Sequence, residues 1–420
     1  MCDKRGTRPQ EGAAMSRRIV PVLLGTEVGV YGMARAFWQE YHVKSYAYGT
    51  FPLTPTRYSK FIEQRCDERF ADPKHFVEIL NRDAKGFDDA TVLVIPCGDD
   101  YSLLLSAHKD ELDPRLTAIT SDAGVLDELN DKARFYELCE RAGVPYPRAI
   151  SVSGISDLPD DLPFPFPVAV KPTDAASYRE HEFEGQKKAF IIEDRAMLEE
   201  TVRRVYDSGY DAQLVIQDFV PGDDSNMRTM NGYVRQDGSV ALLALGRPIL
   251  EDPEPMRIGN YVAIISYGDE KLYATVEQLL SNIHYFGYFN LDMKYDERDG
   301  SYKLLDFNPR QGRSSYFVTL AGSNLARFVV EDIVEGKKEP AVHASRRYLW
   351  VGMSKHIVKR YTPEGDGRDE ALKLMREGLV GTTLYGEHDN DPRRLYYIGR
   401  LWLSYFRDFK RYFGHRELEG

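Results

Sequence analysis

The chain has 420 residues, 42% of them hydrophobic and 29% charged, a globular balance spread over more chain than one ordinary core can organise. Its formal charge of −11 argues against a nucleic-acid partner but leaves room for a locally basic site that takes small anions. Four scattered cysteines, Cys2, Cys66, Cys97 and Cys139, with no CxxC pair among them, support neither a zinc site nor a disulfide framework and suit a cytoplasmic setting, and no apolar run approaches the ~20 residues of a spanning helix.

Residues 1–16 are charged and lack an apolar stretch, so they are not a secretory signal; they read as a disordered leader, with Met15 as a second candidate start. "RRIVPVLLGTEVGVYGMARAFWQEYHVKSYAYG" then reads strand, glycine-containing turn, helix, strand. Gly25, Gly29 and Gly32 lack the GxGxxG spacing of a dinucleotide site and suit a tight turn opening a ligand crevice at the strand ends. The apolar run from Ala90 does not alternate, as expected of a parallel strand covered on both faces. These features predict a doubly wound α/β unit.

"LNDKARFYELCERAGVPYPRAI" predicts a helix that Asn130 or Asp131 caps and Gly143 ends. "FPVAVKPTDAASY" predicts a short strand interrupted by Lys171, then a loop of small residues. "AQLVIQDFVPGDD" is another strand, and Asp237-Gly238 marks a hairpin. A helix around 276–284 follows, then the strand "YFNLDMKYDE", a turn at Asp299-Gly300, and the strand "SYKLLDFNPR". Past Gly336 the chain turns aromatic and basic. Leu395, Ile398, Trp402, Tyr405, Phe409 and Tyr412 form one helical stripe flanked by arginines and lysines. That stripe predicts a terminal helix docked on the body; the alternatives are an interfacial helix on an anionic membrane through residues 393–416, or a dimer contact.

The polar intrusions belong together. Period-two alternation aims Asp306, Asn308 and Arg310 to one side of a segment that begins apolar. Asp292 lies in the preceding apolar strand, so a hairpin about Asp299-Gly300 brings two carboxylates close. Two carboxylates with an amide oxygen are hard ligands that suit Mg²⁺. Lys171, buried in a strand, needs an anion. A lysine, a carboxylate pair, an amide and an arginine point to phosphate bound with a divalent metal.

In order and spacing, residues 132–313 resemble the ATP-grasp carboxylate–amine ligases. The resemblance implies an α/β fold, with α+β character in the lid: a Rossmann-like pre-ATP-grasp domain over 17–120, an ATP-grasp domain over 121–335 with a lid at about 150–222, and a helical, aromatic and basic C-terminal extension over 336–420. It also implies roles. Lys132 and Lys171 would contact the ATP phosphates. Gln217, where many members have Glu, and Val220 would hold adenine, and Asp224 the ribose. Asp292, Asp306 and Asn308 would hold Mg²⁺, as two ions; Asp306 replaces the commoner Glu and is one methylene shorter. Arg310 would steady the transferred group, and the loop Asp174 to Tyr178, poor in glycine, would cover the phosphates.

"LLGTEVGVYGMARAFWQEY", "LTPTRYSK", "FEGQKKAF", "IQDFVPGDDSNMR", "GRPILEDPEPMRIGNYV" and "NPRQGRSSYFVTLAGSNLARF" narrow the resemblance, over about residues 18–335, to the bacterial D-aspartate ligase family. That resemblance implies ATP-dependent activation of the β-carboxylate of D-aspartate as an acyl phosphate, joined to the lysine amine of a peptidoglycan precursor, UDP-MurNAc-pentapeptide. Arg310, Arg313 and Ser314 are the candidates nearest the amino acid. Arg247 and Arg257 flank "PILEDPEP", and Glu27 is a candidate for the amino group. The setting implied is cytoplasmic, peripheral to the inner membrane face if the C-terminal helix meets lipid. Ligation of another amino acid or amine, and a nucleotide-binding regulator without turnover, stay open, as does the oligomeric state.

Overall fold

In the computed structural model residues 18–257 and 259–416 are described; the expected leader, residues 1–16, lies outside them. The described residues build three sheets. The first is parallel, in the order β3-β2-β1-β4-β5, from β1 (Arg18–Leu24), β2 (Ser45–Gly49), β3 (Ile62–Cys66), β4 (Ala90–Pro96) and β5 (Leu116–Ala118). Helices α1 (Val28–Tyr41), α2 (Pro73–Ala84) and α3 (Asp99–His108) cover it. The order reverses at β1, between β2 and β4, which opens a crevice at the carboxyl ends of β1 and β4. Gly25 turns the chain there at φ +118°, a left-handed conformation that a side chain would strain.

Helices α4 (Ala123–Asn130) and α5 (Lys132–Ala142) follow. Asp131 caps α5 by accepting from the Arg134 amide at 2.9 Å, and Gly143 closes it at φ +66°. The second sheet is antiparallel, in the order β6-β9-β7-β8, from β6 (Ala149–Val152), β7 (Val168–Pro172), β8 (Phe190–Ile192) and β9 (Leu214–Asp218). It carries α6 (Ala175–Glu180) and α7 (Arg195–Asp207). The small-residue loop expected at Asp174 to Tyr178 is instead the first turn of α6. Alanine favours helix, and the Asp174 carboxylate accepts from the Ser177 amide at 3.0 Å.

The third sheet is the largest: β14-β13-β10-β11-β12-β16-β17, with β15 beside β11. Its strands are β10 (Met227–Val234), β11 (Val240–Glu251), β12 (Tyr261–Tyr267), β13 (Gly287–Asp296), β14 (Ser301–Asn308), β15 (Val342–Ala344), β16 (Tyr348–Val351) and β17 (Val380–Gly381). One face packs on α5 and α8 (Glu270–Leu280) through Phe135, Leu138, Tyr273, Val276, Phe289, Leu291 and Leu304. The other meets α1, α9 (Tyr316–Leu320) and α10 (Leu325–Ile333) through Tyr31, Phe37, Tyr288, Phe317 and Val329. That face joins the first and third sheets into one core.

The C-terminal extension adds α11 (Lys355–Tyr361), α12 (Asp366–Arg376) and α13 (Pro392–Arg416). Helix α13 docks on the body: Ile398 and Phe409 are 0% exposed and Tyr405 4%. Arg394, 1% exposed, pairs with the buried Asp389 at 2.9 Å. Ile398, Tyr405 and Phe409 of the stripe are therefore turned inward, because burying each such side chain gains about 2 kcal/mol, while Leu395 at the start of the helix stays 40% exposed. Among the described residues no helix is long and apolar enough to cross a membrane.

Candidate active site

The site forms where the three sheets meet. Strands β13 and β14 pair antiparallel, with Asp292 opposite Asp306 and Asn290 opposite Asn308. Strict alternation would put Asp306 on the buried face of Leu304. A bulge at Leu305 prevents this: Leu304 and Phe307 stay in the core while Asp306 turns to the open side. The carbonyl of Leu305 is used as well, accepting from Lys132 Nζ at 3.1 Å and from the Tyr136 hydroxyl at 3.3 Å. Lys132, at the start of α5, also pairs with the Asp306 carboxylate.

Charges converge on that carboxylate. Burial alone would push the Asp306 carboxyl up, but Lys132 and Lys171 hold it below its usual range, with Lys188 adding to the effect. Burial in turn pushes the Lys171 ammonium down, and Asp306 opposes the shift. Asp292 faces a different cation, Arg310, whose charge holds its carboxyl down without cancelling burial. Burial, then the charge of Asp306, push its carboxyl up to about 6, while Thr229 and the Tyr261 hydroxyl, 3.4 Å from Oδ1, partly offset the rise. Asn308 donates to Asn290 Oδ1 at 3.1 Å, and Asn290 donates to Thr229 Oγ1 at 2.8 Å, which fixes the amide plane. Two carboxylates and one amide oxygen therefore face one spot, with the lysines on the Asp306 side and Arg310 acting on Asp292. Among the described residues no three acids, histidines or cysteines gather to hold a metal by themselves. The set fits Mg²⁺, which takes one or two carboxylates and completes its shell with phosphate oxygens and water.

Beyond β14, Arg310 is held by Asp99 at the start of α3, with Nε 2.7 Å from Oδ1 and Nη2 2.9 Å from Oδ2. Gly312 follows. Its amide donates to Asn231 Oδ1 at 2.8 Å, and a Cβ there would come within 2.9 Å of the same oxygen. The turn thus presses on the sheet and sends Arg313 outward, where Nη2 donates to the Tyr405 hydroxyl of α13 at 3.0 Å. Arg310 and Arg313 line a cavity of about 500 Å³ shared by the first sheet's crevice (Glu27, Asp99), the adjoining ends of β11 and β12 in the third sheet (Asp252, Asn260, Tyr261) and α13 (Leu401, Tyr405). Burial pushes the Glu27 carboxyl up; backbone amides, including that of Thr26 at 3.1 Å, and Arg310 oppose the shift.

The expected residues are gathered unequally. Lys132, Lys171, Asp292, Asp306, Asn308 and Arg310 lie together. Glu27 and Arg313 line the adjoining cavity. Ser314 is buried beside Arg313. Gln217, buried on β9, accepts from the Tyr136 hydroxyl at 3.0 Å; Val220 lies just past the end of β9, and Asp224 begins a short turn, Asp224–Asn226, that packs on β11 and β13 of the third sheet. Arg247 is not part of the site. Gly246 lies in register with Thr229, which pairs with Asp292, so alternation sends Arg247 to the opposite face. There it forms a two-pronged pair with Asp366 at 2.7 and 2.8 Å. Arg257 ties Asp252 at 3.1 Å, Glu254 at 3.3 Å and Asp408 of α13 at 2.6 Å. Thr229, Lys188, Asp252, Tyr261 and Tyr405 were missed. Only Asp252 left a signal, as an acid ending the apolar run "RPILED".

No family model matches the sequence. The chain is 41% identical over 416 residues, 96% of its length and 98% of the relative's, to a D-aspartate ligase of Enterococcus faecium (strain Aus0004). Among solved structures its fold is similar to N5-carboxyaminoimidazole ribonucleotide synthetase bound to ADP (TM-score 0.57, 14% identity, 80% of this chain and 82% of that one). It is similar also to the biotin carboxylase domain of Hydrogenobacter thermophilus 2-oxoglutarate carboxylase with MgADP (TM-score 0.59, 13% identity, 78% and 72%). The α/β fold is therefore ATP-grasp, and the chain belongs to the D-aspartate ligase family of ATP-dependent carboxylate–amine ligases.

Proposed function

We propose that the chain uses ATP to activate the β-carboxylate of D-aspartate and joins it to the lysine side-chain amine of UDP-MurNAc-pentapeptide, a cytoplasmic peptidoglycan precursor. The observation that carries this reading is the Asp292–Asp306 pair across one hairpin, followed on the same chain by Arg310 and Arg313 in the wall of a cavity of about 500 Å³. The amino acid D-aspartate comes from the likeness to the Enterococcus faecium ligase.

In this reading residues 17–120 and 121–335 enclose the reactants and 336–420 close one side. Gln217 and Val220 hold adenine, Asp224 the ribose, and Lys132 and Lys171 the phosphates. Asp292, Asp306 and Asn308 would hold Mg²⁺, which when bound neutralises phosphate charge. A β-carboxylate oxygen attacks the γ-phosphorus; the bond to the bridging oxygen breaks, and its electron pair leaves with ADP. The lysine nitrogen then attacks the acyl carbon, the C–N bond forms, the C–O bond to phosphate breaks, and the nitrogen loses a proton. Arg310 faces negative charge in both steps, and the gain is mainly positioning and charge stabilisation. Glu27 suits the α-ammonium of aspartate, and Arg313 with Ser314 its α-carboxylate.

The test is ADP release with Mg²⁺, aspartate and the precursor, with the product weighed by mass spectrometry. D-aspartate should drive ADP release and add one aspartyl residue to the precursor, and L-aspartate should not. Release that ignores aspartate, or a precursor of unchanged mass, would overturn the reading.

A further inference from the structure

A second concavity of about 470 Å³ runs along the outer side of α13, open to solvent. It adjoins the inner cavity, because Thr54 and Leu401 contribute to the walls of both. Along it lie Tyr397, Arg400, Ser404 and Arg407, at the three- and four-residue spacing that puts side chains on one helix face. Leu401 and Tyr405, on the neighbouring face, reach the inner cavity. The two spaces differ in charge. The inner one sets Glu27, Asp99 and Asp252 against Arg310 and Arg313; the outer one is lined by two arginines and no acid. Arg400 and Arg407 are exposed, and the Asp408 carboxylate stands 3.9 Å from Arg407 Nε. On a chain of net charge −11, such a stripe is an exception with a direction: it leads from solvent to the cavity wall.

We propose that this groove binds the amine acceptor, and that Arg400 and Arg407 recognise the diphosphate of its nucleotide-linked end while the amine-bearing end passes Thr54 and Leu401 into the inner cavity. The inference rests on the ligase reading above. Charge complementarity and continuity with the inner cavity support it: arginine pairs phosphate oxygens through two parallel donors, and an acceptor that must reach an acyl group inside needs an entrance contiguous with that space. Tyr397 adds a flat apolar wall, stacked on Tyr58 with ring centroids 5.9 Å apart.

The test is the double variant Arg400→Gln with Arg407→Gln, both on an exposed face. Two assays read it: ligation to the nucleotide-linked precursor, and trapping of the activated aspartate with hydroxylamine, which needs no acceptor. The variant should raise the acceptor KM by roughly tenfold or more, as expected for two lost charge-assisted contacts. It should leave the KM values for aspartate and ATP, and the rate of hydroxamate formation, unchanged. A lysine peptide without phosphate should show the same KM with both proteins. An unchanged KM for the precursor, or an equal rise for the phosphate-free peptide, overturns the proposal. So does a variant that keeps its acceptor KM but loses binding to anionic phospholipid vesicles, which would assign the groove to lipid. Failure of the unsubstituted protein to form hydroxamate would count against the ligase reading instead, and is separately visible.

Discussion

Three cations and one neighbouring acid set the charge state of the candidate site, and Asp306 is where they meet. Its carboxylate is held ionised by Lys132 and Lys171 against the cost of burial. Replacing it, Asp306→Asn, leaves those lysines facing an amide and removes one of two carboxylates from the metal set. Turnover should fall about 100-fold or more, the size seen when a preorganised charge partner is lost; ADP release at saturating substrates reads it, and a fall of only a few-fold would detach Asp306 from the chemistry. At this scale the sequence was legible where alternation alone decides. Asp306, Asn308 and Arg310 at alternate positions, and Asp292 across a hairpin, could be read from spacing. The bulge at Leu305 could not, because it follows from Leu304 and Phe307 both needing the same core. Asp252 and Tyr261 enter from the end of β11 and the start of β12, and no local pattern says that those two ends border the site with Arg310.

The elements around the site are tied to one another by a few ion pairs. Arg257 joins the 252–257 turn to α13 and is the ion-pair partner of Asp252, whose carboxyl burial pushes up and Arg257 pulls back. Arg257→Ala should therefore destabilise the protein by about 2 kcal/mol, below the usual cost of breaking a buried pair because the arginine is partly exposed. Adding Asp252→Asn should return part of the loss, since the stranded charge is then gone; denaturant melts of the single and double variants measure both. A second tie is His343 on β15, 3.1 Å from Glu270 and 2.9 Å from Glu277 of α8. Burial lowers its affinity for protons, but the two glutamates outweigh burial and raise it above the ordinary 6.5. A folded-state value above the unfolded one stabilises fully below the unfolded value and fades as pH rises through the folded one. The Tm gap between the unsubstituted protein and His343→Gln should thus be largest in mildly acidic buffer and close toward pH 9, and a gap independent of pH would dissolve the link. The contribution is modest, under about 1 kcal/mol, because the pair is partly solvated. Strand and helix periods were legible here, as were the Asp131 cap and the Asp299-Gly300 turn. The docking of α13 was legible as well: three–four spacing makes the helix amphipathic, and Ile398, Tyr405 and Phe409 are buried against the body. Which core each side chain meets was not, because the partners lie far away in sequence.

The whole molecule makes the site by meeting at it. Lys171 comes from the second sheet, Asp292 and Asp306 from the third, Glu27 and Asp99 from the crevice of the first, and Tyr405 from the last helix. A reader of the sequence could see the first three as segments with chemistry; that they face one another depends on contacts between residues hundreds of positions apart, such as Tyr31 with Asp389 at 2.9 Å, which no window of sequence contains. A ligand that touches several sheets at once binds only their assembled arrangement, so it stabilises by mass action. MgADP at about 100 times its Kd should add about 2.7 kcal/mol and raise Tm by a few degrees. The same addition to Asp306→Asn should raise it much less, because one of the two carboxylates proposed for the metal is lost while the proposed adenine contacts on the second sheet survive. ADP without Mg²⁺ should fall between the two, since Lys132 and Lys171 meet phosphate but the Asp292 side repels it. Equal shifts with and without Mg²⁺ would mean that the nucleotide sits on the second sheet alone, and the carboxylate pair would then have to be read as a structural feature of the hairpin.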